Sequence, residues 1–212
     1  MFIVIDSSHN LQYTGIISGN YANVITLIDD FEKVFSQNNV AHKYHWSKLS
    51  QKTRQKLRSP LAASFAKAPK VNLNILHHAK PKGITDKEWY LNHLPARIAQ
   101  RLERWLVGKG GSIELIVDDD YNVIRGGSGT KHFIEALLRQ ISVRLTNKQA
   151  VIRYEEKIKA TIKQANGNVL TFYASIADKG SKQVGLVDVY LGLYLSDKKL
   201  FEGLGNVYHV TV

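Results

Sequence analysis

The chain contains no cysteine, which removes a disulfide framework, a cysteine-ligated zinc and a thiol nucleophile together. Long apolar runs are missing too. The stretches from Phe2 to Ile5 and from Val184 to Val187 fall far short of the roughly 20 residues that span a bilayer. No basic N-terminal region leads into an apolar stretch and a cleavage site, so the expectation is a soluble cytoplasmic protein with no secretory signal and no membrane partner. There is no G-x-S-x-G nucleophile elbow, no H-E-x-x-H zinc pair, no internal repeat and no low-complexity linker. Gly126-Gly127-Ser128-Gly129-Thr130 precedes an expected helix and could cradle a phosphate, but no glycine sits directly before Lys131 as a Walker motif requires.

Negative charge is also scarce, with 18 acidic residues against 29 Lys and Arg and a net charge of +11. The excess is local. Residues 1–40 hold a single base, Lys33, against four acids, whereas residues 41–110 hold 15 bases against Asp86, Glu88 and Glu103. That basic, largely helical segment suits a polyanion, with nucleic acid the first candidate. Lys43, Lys48, Lys52, Arg54, Arg97, Arg101 and Arg104 are its candidate phosphate contacts.

What the chain does have is an ordinary core composition, 44% hydrophobic over 212 residues. That suffices for one domain without a disulfide or metal staple. Four apolar residues before Asp6 and a polar turn after it make residues 1–6 a buried strand, with 12–18 as a hairpin partner. Helical spacing of Val24, Leu27, Ile28, Phe31, Val34 and Phe35 predicts a helix over 24–36. A second helix is expected over 47–68, with Pro60 a kink or break, followed by an alternating strand over 71–76. Residues 85–107 form the strongest helical pattern, opened by a Thr85/Glu88 capping box and divided early by Pro95. A strand over 113–117, a helix over 130–145, a strand over 170–174 and a helix over 183–195 follow; 151–169 reads as either a strand pair or a short helix. Strands interleaved with helices predict one α/β domain covering 1–212.

Asp6, Asp118 and Asp188 each lie inside or at the end of an apolar run. A carboxylate buried among Val, Ile and Leu is costly unless it is paired, hydrogen-bonded or bound to a cation. A fold that gathers the three would create a site for Mg²⁺ or Mn²⁺. Asp6 ends the first strand, where ligand crevices of α/β sheets occur; the alternative is a turn-forming Asp that caps Ser8 or His9. Asp118 and Asp120 share a face beyond the next strand; the alternative is a solvated turn. Asp188 falls on the helical face of Gly185 and Gly192, which would let that face approach the sheet closely with Asp188 in the seam; the alternative is a buried Asp bonded to a neighbour. His42 and His45, at i, i+3 spacing, are weaker metal candidates, and the His77-His78 pair, which ends a strand near basic residues, is expected at the surface.

Two strand-end aspartates and a third on a late helix resemble the carboxylate layout of the ribonuclease H-like fold. More narrowly, FIVIDSS, HKYHWSKLSQKTRQK, LIVDDD and QVGLVDVYLG resemble the opening strand, the Lys-Trp-Ser-Lys-Leu segment, the central Asp strand and the closing helix of the DUF3800 family. The resemblance runs over residues 2–195. It implies a mixed sheet flanked by helices, with Asp6, Asp118 and Asp188 as catalytic metal ligands. It also implies two divalent ions in phosphodiester cleavage of DNA or RNA. Related proteins often carry a Glu near the start of the Lys-containing segment; this chain has His42 beside Lys43 there, and Asp120 or Glu135 could take the place of that acid.

Overall fold

In the computed structural model, every apolar run named above becomes a strand or the inner side of a helix. The structure describes residues 1–8, 12–40, 45–68, 70–119, 128–177 and 180–211. The strands β1 (Phe2–Ser8), β2 (Tyr13–Gly19), β3 (Val71–His77), β4 (Gly111–Asp118), β5 (Ile152–Tyr154), β6 (Ile158–Lys163), β7 (Val169–Ala177) and β8 (Val207–Thr211) form one mixed sheet. Its order is β5-β6-β7-β4-β1-β2-β3-β8. β1, β2 and β3 run as an antiparallel meander, while β4 lies parallel to β1 and β7 parallel to β4.

Period-two alternation sends opposite residues of each strand to opposite layers. Phe2 and Val4 of β1 join the core beneath α1 (Tyr21–Gln37), α2 (Gln51–Ala66) and α6 (Lys182–Ser196). Ile3 and Ile5 join the core beneath α4 (Leu94–Leu106) and α5 (Gly129–Thr146). The protein is therefore α/β, with a central mixed sheet and helices on both faces. Among the described residues no helix is long and apolar enough to cross a membrane.

The predicted inner face of α1 is buried at all six positions, and Asn20 caps it by accepting from the Ala22 amide at 3.1 Å. Thr85 accepts from the Glu88 amide at 3.2 Å, opening the short α3 (Asp86–Glu88). A π-helical turn over Trp89–His93 then precedes α4, with Pro95 at its start. A proline lacks the amide that would continue the α-helical ladder, so the chain widens before it. Pro60 behaves differently from the expectation of a break, since α2 runs unbroken through it. Residues 151–169 resolve as the strand pair. The sequence reading left β8 unassigned; its Val207–Thr211 register on β3 is parallel.

Candidate functional site

The parity that sorts the core also sorts the acids. Asp6 lies in phase with Phe2 and Val4, and Asp118 in phase with Ile116, so both face the α6 layer. The β1–β4 register pairs Ile5 with Val117, and one further step brings Asp6 beside Asp118. Both carboxyls are buried, at 1% and 0% exposure, so the solvated-turn alternative does not hold for Asp118. Each strand exit curls back on its own acid. The Ser7 amide donates to Asp6 Oδ1 at 2.7 Å and the Asp119 amide to Asp118 Oδ1 at 2.9 Å. Thr130, at the start of α5, donates to the Asp119 carbonyl at 3.0 Å and fixes where β4 ends.

α6 crosses directly over this point, packing on β1, β2 and β4. Its close approach depends on Gly15, the β2 residue opposite Asp6. A Cβ there would come within 2.8 Å of Val187 and 3.3 Å of Leu191 on α6. Asp188 is half-buried in this seam. Burial, a hydrogen bond with Asp118 and the charges of Asp118 and Asp188 hold the Asp6 carboxyl well above its ordinary range. The three predicted acids thus form one electrostatic cluster, the condition that a divalent cation relieves.

The sequence assigned the sheet approach to Gly185 and Gly192 of α6, and for Gly192 the structure differs. Gly192 faces Trp46, where a Cβ would lie 2.6 Å from the indole Cγ. Trp46 opens a short 3₁₀ turn, Trp46–Lys48. Its amide donates to Asp188 Oδ2 at 2.6 Å, and its indole Nε1 donates to Ser196 Oγ at 3.2 Å. Asp188, Gly192 and Ser196 recur every four residues, so one stripe of α6 is devoted to seating this tryptophan. Asp188 accordingly faces two ways, toward the buried acids and toward the turn that carries Lys48. Trp46 was legible as part of the family-like segment but not as a seat for Asp188, and Gly15 not at all, because their partners on α6 lie more than 140 residues away.

Hard carboxylate oxygens around a buried like-charge pair suit Mg²⁺ or Mn²⁺. Among the described residues, however, no three His, Asp or Glu side chains close around a single point as a finished metal cage. Asp120, His42 and Lys43 lie outside the described residues, as do Gly126 and Gly127. Glu135, an expected substitute for the further acid, is elsewhere. It hydrogen-bonds Tyr154 at the β5 edge, because α5 belongs to the opposite layer. His77 stacks on Tyr13 with ring centroids 4.6 Å apart. His78 is buried, its Nε2 3.1 Å from Thr14 Oγ1.

The basic segment is divided by the sheet. Lys48 and Lys52 are exposed beside the Trp46 turn and the start of α2, on the acid side, and Arg54 turns its Nε to the Leu49 carbonyl at 3.0 Å. Arg97, Arg101 and Arg104 sit on α4, in the opposite layer. Arg97 lies over Trp89, 5.3 Å from its centroid. Arg101 is held by Asn74 at 2.5 Å between the rings of Trp105 and Tyr208, which rivets β8 to α4. Arg104 is exposed toward Arg144 in a shallow cleft with Gln100 and Glu103. A contiguous run in sequence therefore gives two separate basic surfaces.

Comparison with family models, with curated proteins and with solved structures finds no match to this chain.

Proposed function

We propose that the protein is a divalent-metal-dependent nuclease of ribonuclease H-like architecture, acting on nucleic acid. The observation that carries this proposal is the gathering of Asp6 and Asp118 at the ends of two adjacent parallel strands with Asp188 above them on α6, the Asp6 carboxyl pushed up by burial and by the other two acids. Mixed-sheet architecture with helices on both faces, together with the resemblance of the Asp-bearing segments to the DUF3800 family, supports the same conclusion. Asp6 and Asp118 would hold Mg²⁺ or Mn²⁺ at the strand ends, with Asp188 as the ligand from α6. The ion, when bound, supplies positive charge to the scissile phosphodiester and lowers the pKa of the attacking water. The chain's own contribution is binding and orientation. Lys48 and Lys52 hold phosphates next to the acids, and the buried walls of Val187 and Leu191 limit water around them. A steep decline of affinity with salt follows from such contacts.

One observation favours a non-catalytic nucleic-acid-binding protein on the same scaffold. The Trp46 amide already occupies Asp188 Oδ2. Incubation with single- and double-stranded DNA and RNA, in Mn²⁺ or EDTA, separates the two. The nuclease predicts Mn²⁺-dependent fragments from the wild type and none from Asp6→Asn or Asp188→Asn, both variants still binding. Undiminished cleavage by both variants would sink the assignment, and binding without turnover under every condition would favour the non-catalytic protein.

A further inference from the structure

The two faces of the sheet are not covered alike. On the acid side, α6 closes over β1, β2 and β4, and α1 and α2 extend that cover toward β3. Toward the other end of the sheet, among the described residues, the helices stop. Along β6 and β7, Ala160, Ile162, Leu170, Phe172 and Ala174 are buried against the α5 layer. The residues alternating with them stay open: Thr161 and Lys163 are exposed, while Lys159, Thr171, Tyr173 and Ser175 are half-buried. An antiparallel flank with one dry face and one wet face gives this pattern. Ala177 on the same side packs against the α6 core, so the open face is continuous with the layer that holds the acids.

A row of side chains crosses that face. Arg153 on β5 is opposite Lys159 on β6, and Lys159 is opposite Tyr173 on β7. Lys159 Nζ lies 5.5 Å from the centre of the Tyr173 ring. The neighbouring acid in the row, Glu114 on β4, is neutralised by Lys157 at 2.7 Å, and Glu155 stands 3.8 Å from Lys159. Further along β6, Lys163 adds another exposed cation. Tyr173 leads along β7 to Ser175 and then to Ala177, the register partner of Asp118. Four residues of strand set the tyrosine about 13 Å from the level of the acids.

We propose that this uncovered face of β5–β6–β7 is a stacking platform for a single strand of nucleic acid, held on the approach to the acid cluster. The inference rests on the nucleic-acid reading above and adds a surface to it. A flat sheet bearing an aromatic ring and flanking cations offers a base a π-face and its phosphates a charge partner, without demanding a sequence. A duplex hides its base faces and presents only phosphates, so it gains nothing from the ring. The occupant is therefore a strand with unpaired bases. Arg153, Lys159 and Lys163 give the charge complementarity, and they lie outside the basic segment 41–110.

The test is fluorescence anisotropy of the full chain in EDTA, with short labelled single-stranded DNA, single-stranded RNA and the corresponding duplexes. Tyr173→Ala should weaken single-strand binding roughly ten-fold, in the range of one base–aromatic stack, with duplex affinity held within about two-fold. Tyr173→Phe keeps the ring and should keep the affinity. Lys163→Ser should lower the slope of log affinity against log salt for single strands by about 0.7. Unchanged single-strand affinity in Tyr173→Ala, or an equal loss for duplexes, overturns the platform and leaves the nucleic-acid reading standing. A wild type that binds none of the four ligands overturns both. The DNA and RNA arms state which strand the platform prefers.

Discussion

Asp6 is a residue whose local energetics run against the stability of the empty protein. Its folded carboxyl holds a proton well above the ordinary value of 3.8, with burial the largest cause and Asp118 and Asp188 behind it. For an acid shifted this way, stability is full below pH 3.8 and is lost as pH rises through the folded value, because the unfolded chain releases the proton first. Asn keeps the oxygen that accepts from Ser7 and removes the charge. Asp6→Asn should therefore raise the melting temperature in EDTA at pH 7.5, each 1 kcal/mol relieved appearing as roughly 2–4 °C in a chain of this size. Mn²⁺ should raise the wild type and leave the variant nearly unmoved. A lower melting temperature for the variant in EDTA would show that the buried acid is not under charge stress. How much of this was legible differs by residue. The apolar surroundings of all three aspartates announced that each needed a partner, yet only the β1–β4 register and the packing of α6 show that they partner each other.

At the level of elements, α6 ties the acid cluster to the Trp46 turn. One stripe of the helix presents Asp188, Gly192 and Ser196 to that single side chain. A methyl group at position 192 has no room, and overpacking of this kind costs about 1–3 kcal/mol. Gly192→Ala should expel the indole from its seat, shifting tryptophan emission to the red and detaching Lys48 from the acid side. Trp46→Phe trims the indole and its bond to Ser196 but keeps the amide that donates to Asp188, and should leave the turn docked. The emission spectrum of Gly192→Ala and the thermal unfolding of both variants check this; an unshifted Gly192→Ala spectrum would mean that the glycine is incidental. The helices themselves were readable because a buried stripe repeats every 3.6 residues. The role of Gly192 was not, because spacing within a helix says which residues share a face and nothing about what that face meets. β8 escaped for another reason. Five residues after a glycine-containing turn carry too little periodicity to compete with a loop, and only pairing to β3 makes them a strand.

Over the whole molecule, two buried groups tilt stability with pH in opposite directions. Burial first, then the charges of Arg97 and His77, bring His78 down from 6.5 to about 4. A histidine kept neutral in the fold lends stability that is complete above pH 6.5 and is lost as pH falls toward 4, because the unfolded chain takes the proton. The full contribution is about 3 kcal/mol at 1.36 kcal/mol per pH unit. Asp6 acts in reverse, so above pH 4 the loss from Asp6 opposes the gain from His78. His78 sits on the α4 side of the sheet and Asp6 on the α6 side, and the Ser7–Thr14 contact joins them, so His78 is best measured against a fixed residue at position 6. Asp6→Asn removes the acid's slope and exposes the histidine's. Denaturant unfolding of Asp6→Asn against Asp6→Asn/His78→Gln, both in EDTA, isolates it, since Gln can still hydrogen-bond Thr14 but cannot titrate. Relative to the double variant, the single variant should gain about 3 kcal/mol between pH 4 and 7. A difference that stays constant over that range would show that His78 takes its proton as readily in the fold as in water.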